Sequence, residues 1–377
     1  MTPLEYGKMV CDAMMRRYEP EKLPPEGCFF YHQGVFLSGM QQIYKLCGEK
    51  RYFEYVKDYV DSLVNPNGEI PGFCHELIRP DMHELQKTAI TKLDNRQPCI
   101  LLFDLYKETG EERYRKAIET IVKSMYYWPI NSVGGYWHML DQPYQMWMDG
   151  AYMVGPMCVM YAKEFGDDIL RERAVKQLFL MEQYMKDDKT GLYYHGWDES
   201  KKEAWADKET GLSSQFWGRA VGWYAVAILD ILEYLPEGHE AIERLKRLES
   251  DLLTSLVRYQ DKKTGLWYQV LDRTDAQDNW LESSCTNLFI YSYAKAMRMG
   301  IIGSEFKEVL EKAYDGIVNT LYYDENGDIV IDLVCIGTCI EAGTYEHYIQ
   351  REKIKNDLHG TGAFLLMCAE MERYLKE

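Results

Sequence analysis

A unit of about sixty residues recurs along this chain, and this internal repeat limits its possible folds more than any other feature. In each copy, an apolar helical pattern ends near a glycine and a second, amphipathic helix follows. The glycines that end the first helices are Gly48, Gly110, Gly166, Gly238 and Gly300. Glycine is the usual residue just past a helix C-terminus. The repeat therefore predicts an all-α protein built from helical hairpins.

A turn with aromatic neighbours follows the second helix of each unit. The turns are Asn67-Gly68, Gly134-Gly135, Thr190-Gly191, Thr264-Gly265 and Asn326-Gly327. Such turns beside alternating apolar residues predict short hairpins or extended arms.

The two ends of the chain predict that the repeats close into a ring. Residues 4–18 form one helical pattern without a predecessor, and residues 359–374 form one without a successor. Pairing them gives six inner and six outer helices, an (α/α)6 barrel that makes residues 1–377 a single domain. An open helical-repeat binding protein is the alternative, but its repeats are usually shorter. The long connections here are instead typical of functional loops.

Composition and short motifs exclude several function classes. The chain has 60 acidic and 43 basic residues, a formal charge of −17, so it lacks the basic surface that nucleic-acid binding requires. No apolar run is long enough for a membrane span, and no signal-peptide core is recognisable. The ten cysteines have no metal-binding spacing, which predicts reduced thiols and a cytoplasmic location. No motif indicates a metal ion or another cofactor.

Loops that lead into inner helices all open at one end of such a barrel, which we call the rim. Eight of nine tryptophans and seven of eight histidines fall in these loops or in the first turn after them, all except Trp128 and His239. The histidines are His32, His75, His83, His138, His195, His347 and His359. Aromatic side chains gathered in this way are typical of a sugar-binding surface.

Asp149 is the best candidate for a general acid. It lies between Trp147-Met148 and Gly150-Ala151, and apolar surroundings raise the pKa of a carboxyl group. A helix N-terminus would lower this pKa, whereas a second carboxylate at Asp94 would raise it. We expect burial and Asp94 to prevail. Ser284 and Asn95 are explained at least as well by helix capping.

Arg219 is the candidate for binding a substrate carboxylate, because its planar guanidinium can form two parallel hydrogen bonds with it. A salt bridge to an acidic residue of the rim is an equally good explanation of Arg219.

Seven motifs, in order and in phase with the repeats, resemble the unsaturated rhamnogalacturonyl hydrolases of glycoside hydrolase family 105, relatives of the unsaturated glucuronyl hydrolases. The motifs are HQGVFLSGM (32–40), LDNRQP (93–98), GGYWH (134–138), QMWMDGAYM (145–153), LYYHGWD (192–198), FWGRAVGW (216–223) and DLHGTGAFLL (357–366). The resemblance covers essentially the whole chain. One departure is Ala220-Val221, where the family usually has Gly-Asn.

The resemblance implies a role for each matching residue. Asp149 would be the catalytic acid and Asp94 its helper. The predicted substrate-binding residues are His138, His195, Trp217, Arg219 and Trp223, together with Gln33, Trp147 and His359 from the segments that enter the inner helices.

The implied reaction releases a Δ4,5-unsaturated uronic acid from the non-reducing end of a short, lyase-generated rhamnogalacturonan oligosaccharide, without a cofactor. Three alternatives stay open: an unsaturated glucuronyl hydrolase acting on another polysaccharide, a conventional inverting (α/α)6 glycosidase that uses Asp94 and Asp149, and a binding protein without chemistry. Residues 328–358 are either a lid or an interface.

Overall fold

Two concentric layers of helices form the molecule. The computed structural model describes residues 1–70, 91–340 and 342–377. Within them, the outer helices are α1 (Pro3–Arg17), α3 (Lys50–Leu63), α5 (Glu112–Lys123), α7 (Asp168–Met185), α9 (Ile242–Val257) and α11 (Lys307–Thr320). The inner helices are α2 (Tyr31–Cys47), α4 (Cys99–Thr109), α6 (Gly150–Phe165), α8 (Gly218–Tyr234), α10 (Ser283–Arg298) and α13 (Leu358–Tyr374). The predicted (α/α)6 barrel is thus confirmed.

The burial of the helices explains the two layers. Outer helix α3 buries Tyr52, Tyr55, Val56, Tyr59 and Val60, which lie on one face at helical spacing. Inner helix α8 is instead buried along nearly its whole length, as expected for a helix that is apolar all round. One hydrophobic cluster includes residues of every long helix.

The ring closes between the first and last helical segments, as the sequence predicts. The backbone N–H of Leu4 donates to Glu372 Oε2 at 3.1 Å, which joins α1 to α13. Inner helices α13 and α2 approach each other closely at Gly39 and Gly362. A Cβ atom on Gly39 would lie 2.5 Å from Leu365 Cβ, and one on Gly362 would lie 2.7 Å from the backbone nitrogen of Phe36. Glycine is therefore required on both sides of this contact.

The glycine turns have a common local chemistry. Asp187 Oδ2 accepts hydrogen bonds from the backbone N–H and the hydroxyl of Thr190, at 2.8 and 2.7 Å, and Asp261 does the same with Thr264. Gly191 then takes a φ of 72°, a conformation that favours glycine. Bridges such as Lys186 with Tyr193 flank these turns, so the predicted short extended arms are confirmed there.

Helix ends follow the prediction in part. Gly48, Gly110 and Gly166 are left-handed caps of α2, α4 and α6. Helix α8 instead ends at Tyr234, and its C-cap is Leu235, three residues before the predicted Gly238. The reason is Pro236, because the residue before a proline is driven out of the helical conformation.

Residues 333–340 and 342–356 form a segment that we call the strap. Its strands β5 (Val334–Cys335) and β6 (Lys353–Ile354) are antiparallel, and the short helix α12 (Tyr345–Ile349) lies between them. Ile340 of the strap is fully buried in a small apolar cluster with Met139 and Trp147. The strap therefore packs on the loops that lead into the inner helices.

Two sequence predictions concern the chain as a whole. All nine cysteines in the described residues are free, as predicted; Cys74 lies outside them. Among the described helices, none combines the length and the apolar character of a membrane-crossing segment.

Candidate active site

Two short strands bring the chemically important loops together. Strand β1 (Gln145–Trp147) pairs antiparallel with β2 (Gly196–Asp198). Backbone hydrogen bonds extend this pairing, because His138 N donates to Gln145 O at 2.9 Å and Met148 N donates to His195 O at 2.9 Å. Asp149, His138 and His195 are therefore held by one connected piece of backbone at the rim.

Asp149 has the environment of a carboxylic acid rather than that of a helix cap. It occupies the N-cap position of α6 without making a side-chain capping bond, and it is 8% exposed. Its Oδ1 atom has no hydrogen-bond partner in the described residues. Burial raises the pKa of Asp149 to about 6; the charge of Asp94 adds to this shift and that of His138 opposes it. Burial and the charge of Asp94 thus shift the pKa of Asp149 in the direction expected from the sequence.

Asp94 and His138 form a buried pair beside this acid. His138 Nε2 lies 3.3 Å from Asp94 Oδ2, and the imidazole ring stacks on Trp147 at 4.6 Å with a 10° angle between planes. Burial disfavours the charged form of both residues, but their mutual attraction is stronger. The pKa of Asp94 is therefore lowered and that of His138 is raised. The pKa of Asp149 is thus raised and that of its neighbour Asp94 is lowered. Such opposite shifts leave one carboxyl group able to donate a proton while the other stays an anion.

His195 faces Asp149 from the other side. Its Nε2 atom lies 3.9 Å from Asp149 Oδ1, and its Nδ1 atom lies 2.7 Å from the hydroxyl of Tyr348. Burial is the main reason why the pKa of His195 is far below its usual value, and the charges of His138 and His347 add to it. His195 is therefore a neutral imidazole, and its ring packs against Trp217 at 4.7 Å.

Arg219 forms the salt bridge that was one of its two predicted explanations, and its role in binding a substrate carboxylate stays a prediction. It is 1% exposed, and it forms an ion pair with Glu282 Oε1 at 3.5 Å. Its Nε donates to Ser284 Oγ at 2.8 Å, and its Nη2 donates to the carbonyl of Cys335 in the strap. Nη1 has no partner in the part of the chain that the structure describes. The salt bridge thus exists, and one nitrogen is left to bind a ligand.

Neutral histidines and aromatic side chains pack together near Asp94 and Arg219. The rings of His32 and His359 lie 4.0 Å apart, and burial lowers the pKa of both, that of His32 to about 3. Trp223 stacks on Tyr152 at 4.2 Å, and its Nε1 lies 3.4 Å from the hydroxyl of Tyr31. Trp223 is therefore held in place by Tyr152 and Tyr31.

Two sequence interpretations, those of Trp267 and Ser284, need correction, and the substrate-binding role of Gln33 stays a prediction. Gln33 Nε2 donates to the carbonyls of Leu23 and Pro25, so this amide nitrogen supports a loop and only Oε1 lacks a partner among the described residues. Trp267 is not a rim aromatic, because it packs on Phe289 and Tyr293 of α10. Helix α10 is capped by Glu282, whose carboxylate accepts from Cys285 N at 2.6 Å, and not by Ser284.

Two functional positions are absent from the sequence-based set. Tyr348 of the strap contacts His195, and Glu282 holds Arg219. The sequence carries only an indirect signal for Tyr348, which lies in the segment 328–358 predicted to be a lid or an interface. His75 and His83, predicted to lie at the rim, are outside the described residues.

One group of atoms has a spacing that a cation could bridge. One atom from each of Asp94, His138 and Asp149 lies within 4.8 Å of the other two. Carboxylate and imidazole are ligands that zinc accepts, but His138 and Asp94 already pair with each other. That the protein needs no metal therefore stays a prediction.

Comparison with known proteins identifies the group to which the chain belongs. The family model described as Glycosyl Hydrolase Family 88 matches residues 6–375. The solved structure of a family 105 glycoside hydrolase from C. acetobutylicum is 31% identical, with a TM-score of 0.89 over 98% of this chain and 99% of that one. The chain belongs to glycoside hydrolase family 88/105.

Two further members of family 88/105 are related more distantly. The unsaturated rhamnogalacturonyl hydrolase YesR of Bacillus subtilis is 30% identical over 64% of this chain and 64% of its own length. The unsaturated glucuronyl hydrolase of Bacillus sp. GL1 is 12% identical, with a TM-score of 0.71 over 99% of this chain and 96% of that one, and so shares the fold. The chain is thus a glycosidase related to the unsaturated uronyl hydrolases, and its substrate is an oligosaccharide.

Proposed function

We propose that this glycosidase is an unsaturated rhamnogalacturonyl hydrolase. It removes a Δ4,5-unsaturated galacturonic acid from the non-reducing end of short oligosaccharides that a polysaccharide lyase has produced from rhamnogalacturonan. The observation that carries the proposal is the buried Asp149, whose pKa of about 6 keeps part of the carboxyl protonated near neutral pH. General acids work best when their pKa lies near the working pH.

The reaction begins at the double bond of the substrate, which is a vinyl ether. Asp149 donates its proton to C4, and the ring oxygen stabilises the resulting cation at C5. Asp149, now a carboxylate, then accepts a proton from water while the water oxygen bonds to C5. The hemiketal opens by breaking the bond between C5 and the ring oxygen. The hemiacetal left at C1 then releases the remaining oligosaccharide as an alcohol.

Neighbouring residues support these steps by charge and position. Asp94 is the anion that stabilises the developing positive charge, because its pKa is lowered by His138 although burial opposes this. His195 lies 3.9 Å from Asp149 Oδ1, close to where the reacting water must be. The unpaired Nη1 of Arg219 is the donor for the substrate carboxylate.

The spacing of the two aspartates argues against a conventional inverting glycosidase. Oxygen atoms of Asp94 and Asp149 lie within 4.8 Å of each other, with His138 beside both. An inverting enzyme needs its two carboxyl groups roughly 6.5–9.5 Å apart, so that water fits on the opposite face of the sugar. A mechanism in which one carboxyl acts first as acid and then as base has no such requirement.

The test is the loss of ultraviolet absorbance from the conjugated double bond when the protein is mixed with lyase-digested rhamnogalacturonan. We expect a steady fall that Asp149→Asn reduces by about a hundred- to ten-thousand-fold, the usual contribution of a general acid. The control variant Asp141→Asn, at an exposed position, should leave the rate unchanged. If the absorbance stays constant on this digest but falls with unsaturated glucuronyl oligosaccharides, the protein is an unsaturated glucuronyl hydrolase. If only saturated sugars are released, it is a conventional inverting glycosidase.

A further inference from the structure

The strap contributes a buried side chain to the candidate active site. The hydroxyl oxygen of Tyr348 lies 2.7 Å from His195 Nδ1, and both residues are 0% exposed. Three contacts hold α12 in place around this pair. Gln269 Nε2 donates to the carbonyl of Tyr348 at 3.1 Å, Trp280 Nε1 donates to that of Ile349 at 3.2 Å, and Thr344 caps the N-terminus of α12.

The two ring nitrogens of His195 have different neighbours. Nδ1 faces the tyrosine hydroxyl, and Nε2 faces Asp149 Oδ1. A neutral imidazole carries its hydrogen on only one of these atoms, and the partner of one nitrogen decides which atom that is.

Asp149 makes one of the two tautomers unfavourable. Once Asp149 has given up its proton, it is a carboxylate that only accepts hydrogen bonds, so a bare lone pair on Nε2 would face its lone pairs. A hydrogen on Nε2 removes this repulsion. Nδ1 is then an acceptor, and the hydroxyl of Tyr348 is within reach to donate to it.

We propose that Tyr348 is a positioning residue, which donates its hydroxyl hydrogen to His195 Nδ1 and so holds the imidazole with its N–H on Nε2, directed at Asp149 and the reacting water. The catalytic consequence rests on the proposed function, whereas the tautomer itself does not. Removing the hydroxyl frees Nδ1 to take the hydrogen. Nε2 then presents a lone pair to Asp149 at the step in which that carboxylate must accept a proton from water.

The position of the hydrogen can be measured directly. Nitrogen-15 NMR distinguishes protonated from unprotonated imidazole nitrogens, and the signals of His195 are those that His195→Gln removes. We expect Nδ1 to be unprotonated and Nε2 protonated in the unaltered protein, with Tyr348→Phe shifting the hydrogen toward Nδ1. The matched control is Tyr345→Phe, which removes a hydroxyl from the same helix, where it donates to Asp278 at 2.9 Å. This control should change neither the tautomer nor the rate.

Kinetics test the consequence for catalysis. Tyr348→Phe should lower kcat by about ten- to a hundred-fold, as when other partners that orient a functional histidine are removed, with little change in KM. In a His195→Gln background, Tyr348→Phe should cause no further loss, because it acts through His195. The inference would be overturned by a hydrogen on Nδ1 in the unaltered protein or by an unchanged tautomer in Tyr348→Phe. It would also be overturned if the kcat losses of the two single variants multiplied in the double variant. A protein with the expected tautomer but no turnover of unsaturated substrates would refute the proposed function alone.

Discussion

Replacing Asp149 with asparagine should stabilise the protein while it removes activity. The carboxyl group is buried, its pKa is about 6 instead of the ordinary 3.8, and Oδ1 has no partner among the described residues. A shift of one pKa unit corresponds to about 1.4 kcal/mol, so the ionised form destabilises the fold by about 3 kcal/mol at neutral pH. Asparagine has nearly the same shape and no charge.

The size of this effect changes with pH in a defined window. Between about pH 4 and pH 6 the folded protein holds a proton on Asp149 that the unfolded chain has lost, so the stability contributed by this group falls as pH rises. Asp149→Asn lacks that dependence. The variant should therefore gain little at about pH 4, gain progressively up to about pH 6, and keep a constant advantage of up to about 3 kcal/mol above it.

Urea unfolding followed by tryptophan fluorescence, repeated across this pH window, measures the difference in free energy between variant and unaltered protein. Asp141→Asn, an exposed replacement in the same loop, is the control and should show no pH-dependent gain. A variant that is less stable than the unaltered protein at neutral pH, or a difference that does not change with pH, would show that Asp149 is not a desolvated anion.

Three further outcomes are expected. The value of kcat/KM should fall about tenfold per pH unit above pH 6 in rate measurements, because only protonated Asp149, with its pKa of about 6, can donate; a flat profile there would exclude it as the donor. Glu282→Gln should lower the free energy of unfolding by about 3–5 kcal/mol in urea titrations, since it leaves buried Arg219 without its counter-charge; an unchanged midpoint would contradict this. Dialysis against EDTA should not lower the rate, because His138 and Asp94 already satisfy each other; loss that a divalent ion restores would make these residues a metal site.

Local chemistry explains why so much of the fold could be predicted. Asp187 and Thr190 are three residues apart and hydrogen-bond within their own turn, so the sequence alone contains the whole interaction. The burial of Asp149 is similar, because its apolar neighbours Met148 and Gly150 are adjacent in the chain. Where partners are local, pattern and structure agree.

The missed residues depend on contacts between distant parts of the chain. Tyr348 and His195 are 153 positions apart, and nothing near Tyr348 in the sequence indicates which ring nitrogen its hydroxyl meets. Glu282 binds the backbone N–H of Cys335, 53 positions away, at 2.9 Å. Trp267 follows the same turn motif as the rim aromatics, but its side chain falls on the side of the arm that faces α10. Periodicity could not assign these contacts, because they depend on how the loops meet in space.

The atoms that folding leaves unsatisfied indicate what the pocket is built to hold. Asp149 Oδ1, His195 Nε2 and Arg219 Nη1 are all buried, and none has a hydrogen-bond partner within residues 1–70, 91–340 and 342–377. Each such atom costs about 1–3 kcal/mol, so three of them around one acid favour a site that a bound ligand completes. Glu282, by contrast, accepts hydrogen bonds from Ser284, Cys285 and Cys335 nearby. The unsatisfied acid, imidazole and guanidinium together match a ligand that carries an anion and accepts a proton, as an unsaturated uronic acid does.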